Sequence, residues 1–163
     1  MCETKMRFDD VLGGNSDSPN NSLKMNRRAP FWRYQNLFVR KIRLRGTGWD
    51  GSHHQELLIH LQQNVLLRIS RNNGEDTFQI GAHEGQYNDL VERHISANTI
   101  TCRQVFAAFG RERQAHPTYE HANCRTFVQN IFSDLDPGAA AEFEEASGGR
   151  GDDSKLVADL FGL

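Results

Sequence analysis

The sequence predicts an α+β fold in which a small antiparallel β-meander packs against two or three helices. Two observations carry that expectation. Between Leu37 and Ile80, short apolar and β-branched runs alternate with the turn residues Gly46-Thr47-Gly48, Gln62-Gln63-Asn64 and Arg71-Asn72-Asn73-Gly74. Consecutive strands joined by such short links pair as a meander. Beyond Thr101 the apolar period lengthens to that of a helix, most clearly in Cys124, Phe127, Val128, Ile131, Phe132 and Leu135.

Taken in order, residues 1–30 are rich in Asn, Ser, Asp and Gly and are expected to form a disordered leader. Residues 31–146 form the single folded domain, opened by Phe31-Trp32-Arg33-Tyr34. Its first strand runs from Leu37 to Arg45, the second from His53 to Leu61, the third from Val65 to Ile69 and a short fourth from Thr77 to Ile80. Thr101 caps the first long helix, with Gln104 completing a capping box. Cys102, Val105, Phe106 and Phe109 are its apolar stripe, and Gly110 is expected to stop it. Arg111 to Pro117 then reads as a polar connection. Asn123 is a good N-cap for the helix that begins at Cys124. Asp136-Pro137 ends that helix and starts another, from Ala139 to Ala146. Residues 147–163 read as a flexible Gly-rich linker and a short C-terminal tail.

Composition excludes several function classes. The net charge of -2 gives no global argument for nucleic acid or membrane binding. No apolar run approaches the roughly 20 residues of a membrane span, and the first ten residues lack a secretory core. The three cysteines, Cys2, Cys102 and Cys124, are odd in number and widely spaced. They encode neither a zinc ribbon nor a disulfide framework. A reducing compartment, the cytoplasm, is the expected location, and Asn20-Asn21-Ser22 has no weight as a glycosylation acceptor there. Arg150-Gly151-Asp152 has none as an adhesion motif. The seven histidines show no metal-binding spacing, and no cofactor or metal is expected.

Cys124 is the best candidate for reactive chemistry. Thiols attack as thiolates, and the unpaired N–H groups at a helix start favour negative charge. The competing reading is a small core residue, because Cys124 shares a stripe with Phe127, Val128 and Ile131. Cys102 reads as core, and Cys2 as incidental. A nucleophilic cysteine needs a base, usually histidine, brought close by the fold.

Two segments resemble the circularly permuted papain-like proteins, a group within the NlpC-type superfamily that includes the lecithin:retinol acyltransferase-like and PPPDE-type families. They are His54-Gln55-Glu56-Leu57-Leu58-Ile59 and Tyr119-Glu120-His121-Ala122-Asn123-Cys124-Arg125-Thr126-Phe127-Val128. The likeness spans roughly residues 36 to 135. It implies that Cys124 is the nucleophile and His54 the base, with His53 as the alternate. Asn123 supports the site by capping the helix. The implied activity is a cysteine-dependent hydrolase or acyltransferase acting on an amide, isopeptide, ester or thioester bond. A peptide, a protein or an acyl lipid would be the substrate. One departure stands out: the strand after the histidine offers only Arg68, which cannot accept a proton from the imidazole and so cannot orient it.

The alternative function is an inactive papain-like binding or scaffold module, with Cys124 as core. A third class, RNA binding through Arg27, Arg28, Arg33, Arg40, Lys41, Arg43 and Arg45 with Phe31, Trp32 and Tyr34 between them, is weaker. A solvated sheet face explains those residues better at near-neutral total charge.

Overall fold

A computed structural model of the chain describes residues 20–25, 31–48 and 53–147. Most of the expected leader, residues 49–52 and the expected C-terminal linker and tail lie outside the described residues. The described elements are β1 (Ser22–Met25), α1 (Phe31–Tyr34), β2 (Val39–Gly46), β3 (Gln55–Leu61), β4 (Leu66–Asn72), β5 (Glu75–Ile80), β6 (Asn88–His94), α2 (Cys102–Ala115), α3 (Cys124–Leu135) and α4 (Ala140–Ser147). Short 3-10 turns at Gln62–Asn64 and Pro137–Ala139 join β3 to β4 and α3 to α4.

The architecture is α+β. Strands β2 to β5 form the expected antiparallel meander, but the sheet is larger than the sequence suggests. It has six strands in the order β1-β5-β4-β3-β2-β6, and β1 runs parallel to β5, so the sheet is mixed. Two edge strands account for the difference. In β6 only Val91 is fully buried, so the alternation that marks a half-buried strand is weak there. Strand β1 is four residues long and falls inside the stretch expected as leader. Its backbone is held by Asn21 N–H donating to Pro117 O at 2.9 Å and Ser22 N–H donating to Gly74 O at 2.9 Å.

One face of the sheet carries the core. Cross-strand pairs Ile42–Ile59, Leu44–Leu57, Ile59–Leu67, Leu57–Ile69 and Ile69–Phe78 form a continuous apolar surface. It packs under α2 and α3 through Val105, Phe106, Phe109, Phe127, Val128 and Ile131, all fully buried. Phe31, Phe106, Phe78 and Phe109 form a chain of ring contacts with centroids 4.6, 5.0 and 5.2 Å apart, an arrangement that adds to plain area burial. The other face is charged. Arg45, Glu56 and Arg68 lie side by side on β2, β3 and β4. The 81–87 connection crosses over them, with Arg45 hydrogen-bonded to the carbonyls of Glu84 and Gly85 and set over the Tyr87 ring.

The capping box at Thr101 forms as expected, with Thr101 and Gln104 bonded reciprocally. Gly110 does not stop α2, which continues through the supposed connection to Ala115. The reason is tertiary. Glycine costs a helix about 1 kcal/mol relative to alanine, while Arg113, one turn further on, enters a buried ion network.

That network centres on Asp76 in β5. Its carboxylate accepts from Arg71 at 2.7 and 3.0 Å, from Arg113 at 2.9 Å and from the Asn21 amide at 3.0 Å. Arg71 and Asp76 are both fully buried. The remaining guanidinium donors reach backbone carbonyls: Arg71 to Thr118 and Ala122, Arg113 to Asn21. Replacing Asp76 by Asn strands two buried cations. The expected cost in denaturant unfolding is about 3–5 kcal/mol, against under ~1 kcal/mol for Arg111→Ala, which breaks an exposed pair with Asp134. Equal losses for the two variants would show that the Asp76 network does not hold the fold.

Candidate functional site

Cys124 occupies the first position of α3. The cap forms as the sequence predicts: Asn123 is extended and its Oδ1 accepts from the N–H groups of Arg125 at 3.1 Å and Thr126 at 3.0 Å. The residue is 4% exposed, at the margin of the apolar core.

Three polar partners converge on the sulfur. His54, immediately before β3, and the backbone N–H of Gln55 both act on the thiol so as to lower its pKa. The Tyr119 hydroxyl donates to it at 3.7 Å. As a thiol, Sγ–H has the His53 carbonyl as an acceptor at 3.9 Å. So His54 brings its ring to the cysteine, whereas His53 contributes its backbone oxygen and leaves its own side chain exposed.

The electrostatics follow from this geometry. Burial alone would push the Cys124 thiol up. The hydrogen bonds from His54, Gln55 N–H and Tyr119 outweigh it and bring the pKa down to about 7. The contact with Cys124 raises the His54 pKa, against the opposing effect of burial, and the nearby Glu56 carboxylate raises it further. Tyr119 is raised by burial and by donating to the sulfur. Cys102 provides an internal comparison. It too is the first residue of a capped helix, yet burial pushes its thiol up to about 12.

Two buried glutamines fix the relative position of strand and helix. Gln129 Nε2 on α3 donates to Gln55 Oε1 on β3 at 2.8 Å, and both side chains are fully buried. The segment before Cys124 is tied down by Arg71, whose donors to Thr118 O and Ala122 O span the turn that carries Tyr119.

Arg68, the residue that follows the histidine strand at the position where an orienting acceptor was sought, points instead to Glu56 at 3.0 Å. Glu56 is buried between Arg68 and Arg45. Burial raises its pKa, and both guanidiniums and His54 work in the opposite direction. This carboxylate, in β3, lies two residues beyond His54 and supplies negative charge near it. Reasoning from the sequence missed it, along with Tyr119, Gln55 and Gln129. Tyr119 sits within the segment that carries the family resemblance. Its spacing of five residues before the cysteine signals nothing until the intervening turn brings it back.

The basic run on β2 is largely neutralised. Lys41 pairs with Glu92, Arg43 with Glu84 and Asp89, and Arg45 with Glu56 and Asp89. Among the described residues there is no group of three or more His, Cys, Asp and Glu side chains placed to hold a metal ion, and no helix long and apolar enough to cross a membrane. No family model, curated protein or solved structure matches this chain.

Proposed function

We propose that the chain is a cysteine-dependent hydrolase or acyltransferase of permuted papain-like kind, with Cys124 as nucleophile and His54 as base. What supports this reading is a sulfur at a capped helix start, with the Tyr119 hydroxyl 3.7 Å away and His54 acting on it, so that the thiol is drawn down to about 7 in spite of its burial. Near neutral pH the proton then divides between sulfur and imidazole, the poise that suits a nucleophile and its general base.

The chemistry runs in two balanced steps. The Cys124 thiolate attacks the carbonyl carbon of an amide, isopeptide, ester or thioester, and the carbonyl π pair moves to oxygen. The Cys124 N–H is the donor at the α3 start for that oxyanion, because Asn123 occupies those of Arg125 and Thr126. Collapse expels the amine, alcohol or thiol, which takes its proton from the His54 imidazolium and leaves an acyl group on Sγ. Water or another acceptor, deprotonated by His54, then attacks the thioester and regenerates the thiol. Tyr119 donates to the sulfur and steadies the thiolate. The substrate class is a peptide, a protein or an acyl lipid, and a reducing compartment such as the cytoplasm keeps the unpaired thiols in the required state.

The second reading is a binding or scaffold module in which Cys124 is packing. The 4% exposure of the residue favours it. The two readings differ in the state of the sulfur, which ultraviolet absorbance of the thiolate reports when compared with Cys124→Ser. Because the folded thiol is lowered, thiolate should appear as pH rises through about 7. In His54→Ala the lowering hydrogen bond is lost, and the midpoint should move up towards or past the ordinary cysteine value of ~8.5. A midpoint that is high in the wild type, or unmoved in His54→Ala, leaves only the scaffold.

Tyr119→Phe removes one donor and none of the cation. It should raise the same midpoint by less than His54→Ala does, and slow alkylation by iodoacetamide at pH about 7 by a few-fold, as thiolate population falls. An alkylation rate identical to wild type at every pH would remove Tyr119 from the site.

A further inference from the structure

A concavity lies away from the thiol. It is a half-open cleft of about 780 Å³ at the far end of β3, with His60 on its wall. His60 is six residues beyond His54, about 20 Å along an extended strand. The volume falls within the roughly 300–1,000 Å³ of small-molecule sites.

The charge of its lining is one-sided. Arg40 and Lys41 from β2 stand with His60 and His94, and no carboxylate lines the cleft, in a chain with 21 acidic and 19 basic residues. Glu92, just outside, pairs with Lys41 at 3.2 Å and lies 3.4 Å from His94. The Arg40 side chain is exposed and has no ion pair among the described residues. His60 Nε2 lies 3.3 Å from Arg43 Nη1, so the ring is held as an acceptor towards β2.

The backbone around the cleft is also unusual. Gln63, Asn64 and Asn98 have φ of 61°, 56° and 59°. Among the described residues they are the non-glycine positions with positive φ, and all three line this cleft. Each such conformation costs roughly 1–2 kcal/mol and persists where its surroundings enforce it. Beside these amides, Phe38 and Ile95 supply apolar wall.

We propose that this cleft binds a small organic oxyanion, a carboxylate or phosphate carried on an apolar body. Arg40 and Lys41 hold the charged group, and Phe38 and Ile95 cover the rest. The site is separate from the Cys124–His54 pair and stands whether or not that pair is catalytic.

The test is an NMR titration of the full chain at low salt with benzoate, phenyl phosphate and the uncharged benzyl alcohol. Benzoate or phenyl phosphate should produce saturable shifts at the amides of Gln63, Asn64 and Asn98, and benzyl alcohol should not. The tighter of the two anions identifies the preferred head group. Arg40→Ala, an exposed change that leaves the fold intact, should weaken binding about tenfold, the worth of one charge-assisted contact. The thiolate midpoint of Cys124 should stay where it was. Absence of saturable shifts with both anions, equal shifts with benzyl alcohol, or undiminished affinity in Arg40→Ala would each overturn the assignment.

Discussion

The buried Arg71–Asp76–Arg113 network is the constraint on which the arrangement of the molecule depends. It joins four parts of the chain: strand β5 through Asp76, β4 through Arg71, the C-terminal half of α2 through Arg113 and the residue before β1 through Asn21. Its reach to Thr118 O and Ala122 O then fixes the turn from which Tyr119 and the α3 N-terminus emerge. The Arg71 guanidinium also lies 3.9 Å from the centroid of the Phe127 ring, one turn into α3. A buried pair of this kind is weak evidence for net stability, because desolvation offsets much of the attraction. What it supplies is specificity: each donor has one acceptor that fits, so the helix cannot slide along the sheet without stranding a charge.

The two helix-start cysteines separate position from environment. Cys102 and Cys124 both follow a side-chain cap and both begin an α-helix. A helix N-terminus is worth a fraction of a kcal/mol to about 2 kcal/mol for a nearby anion, and at Cys102 burial overwhelms it. At Cys124, which is less deeply buried, desolvation is opposed by His54, Gln55 N–H and Tyr119, and the sign reverses. The donors come from the strand side, His54 and Gln55, and from the preceding turn, Tyr119. The lowered pKa of the sulfur is thus a property of tertiary assembly, and the bond between Gln55 and Gln129 ties the strand end to the helix.

This explains what could and could not be read in advance. The meander, the capping box at Thr101, the cap at Asn123 and the stripe on α3 are local patterns of period two or 3.6, written in neighbouring residues. The parallel pairing of β1 with β5 joins residues about fifty positions apart, and nothing in Ser22-Leu23-Lys24-Met25 announces it. The length of α2 departs from its local signal for the same reason: Gly110 is a local stop signal, overridden by a distant carboxylate at Asp76. At the site, Cys124 and His54 were legible because their residue types are chemically distinctive. Tyr119 and Glu56 were not, because a tyrosine or a glutamate is commonplace and only a turn or a strand face gives it a neighbour. The charged run on β2 reads as an electrostatic patch in sequence, whereas its acidic partners come from β3, β6 and the 81–87 connection.

The two faces of the sheet impose different demands on the histidine strand. Leu57, Ile59 and Leu61 must point into the core, which sends Glu56, Leu58 and His60 to the opposite, charged face. His54 precedes the first residue of β3, so the alternation does not bind it as it binds Glu56. That freedom lets its ring turn to the helix side, where Cys124 lies, while Glu56, committed to the other face, stays within electrostatic range of it. A residue within the strand could have faced Glu56 or Cys124, but not both. Placing the histidine one step outside the ladder puts it between a carboxylate that stabilises its charged form and a sulfur whose proton it can hold.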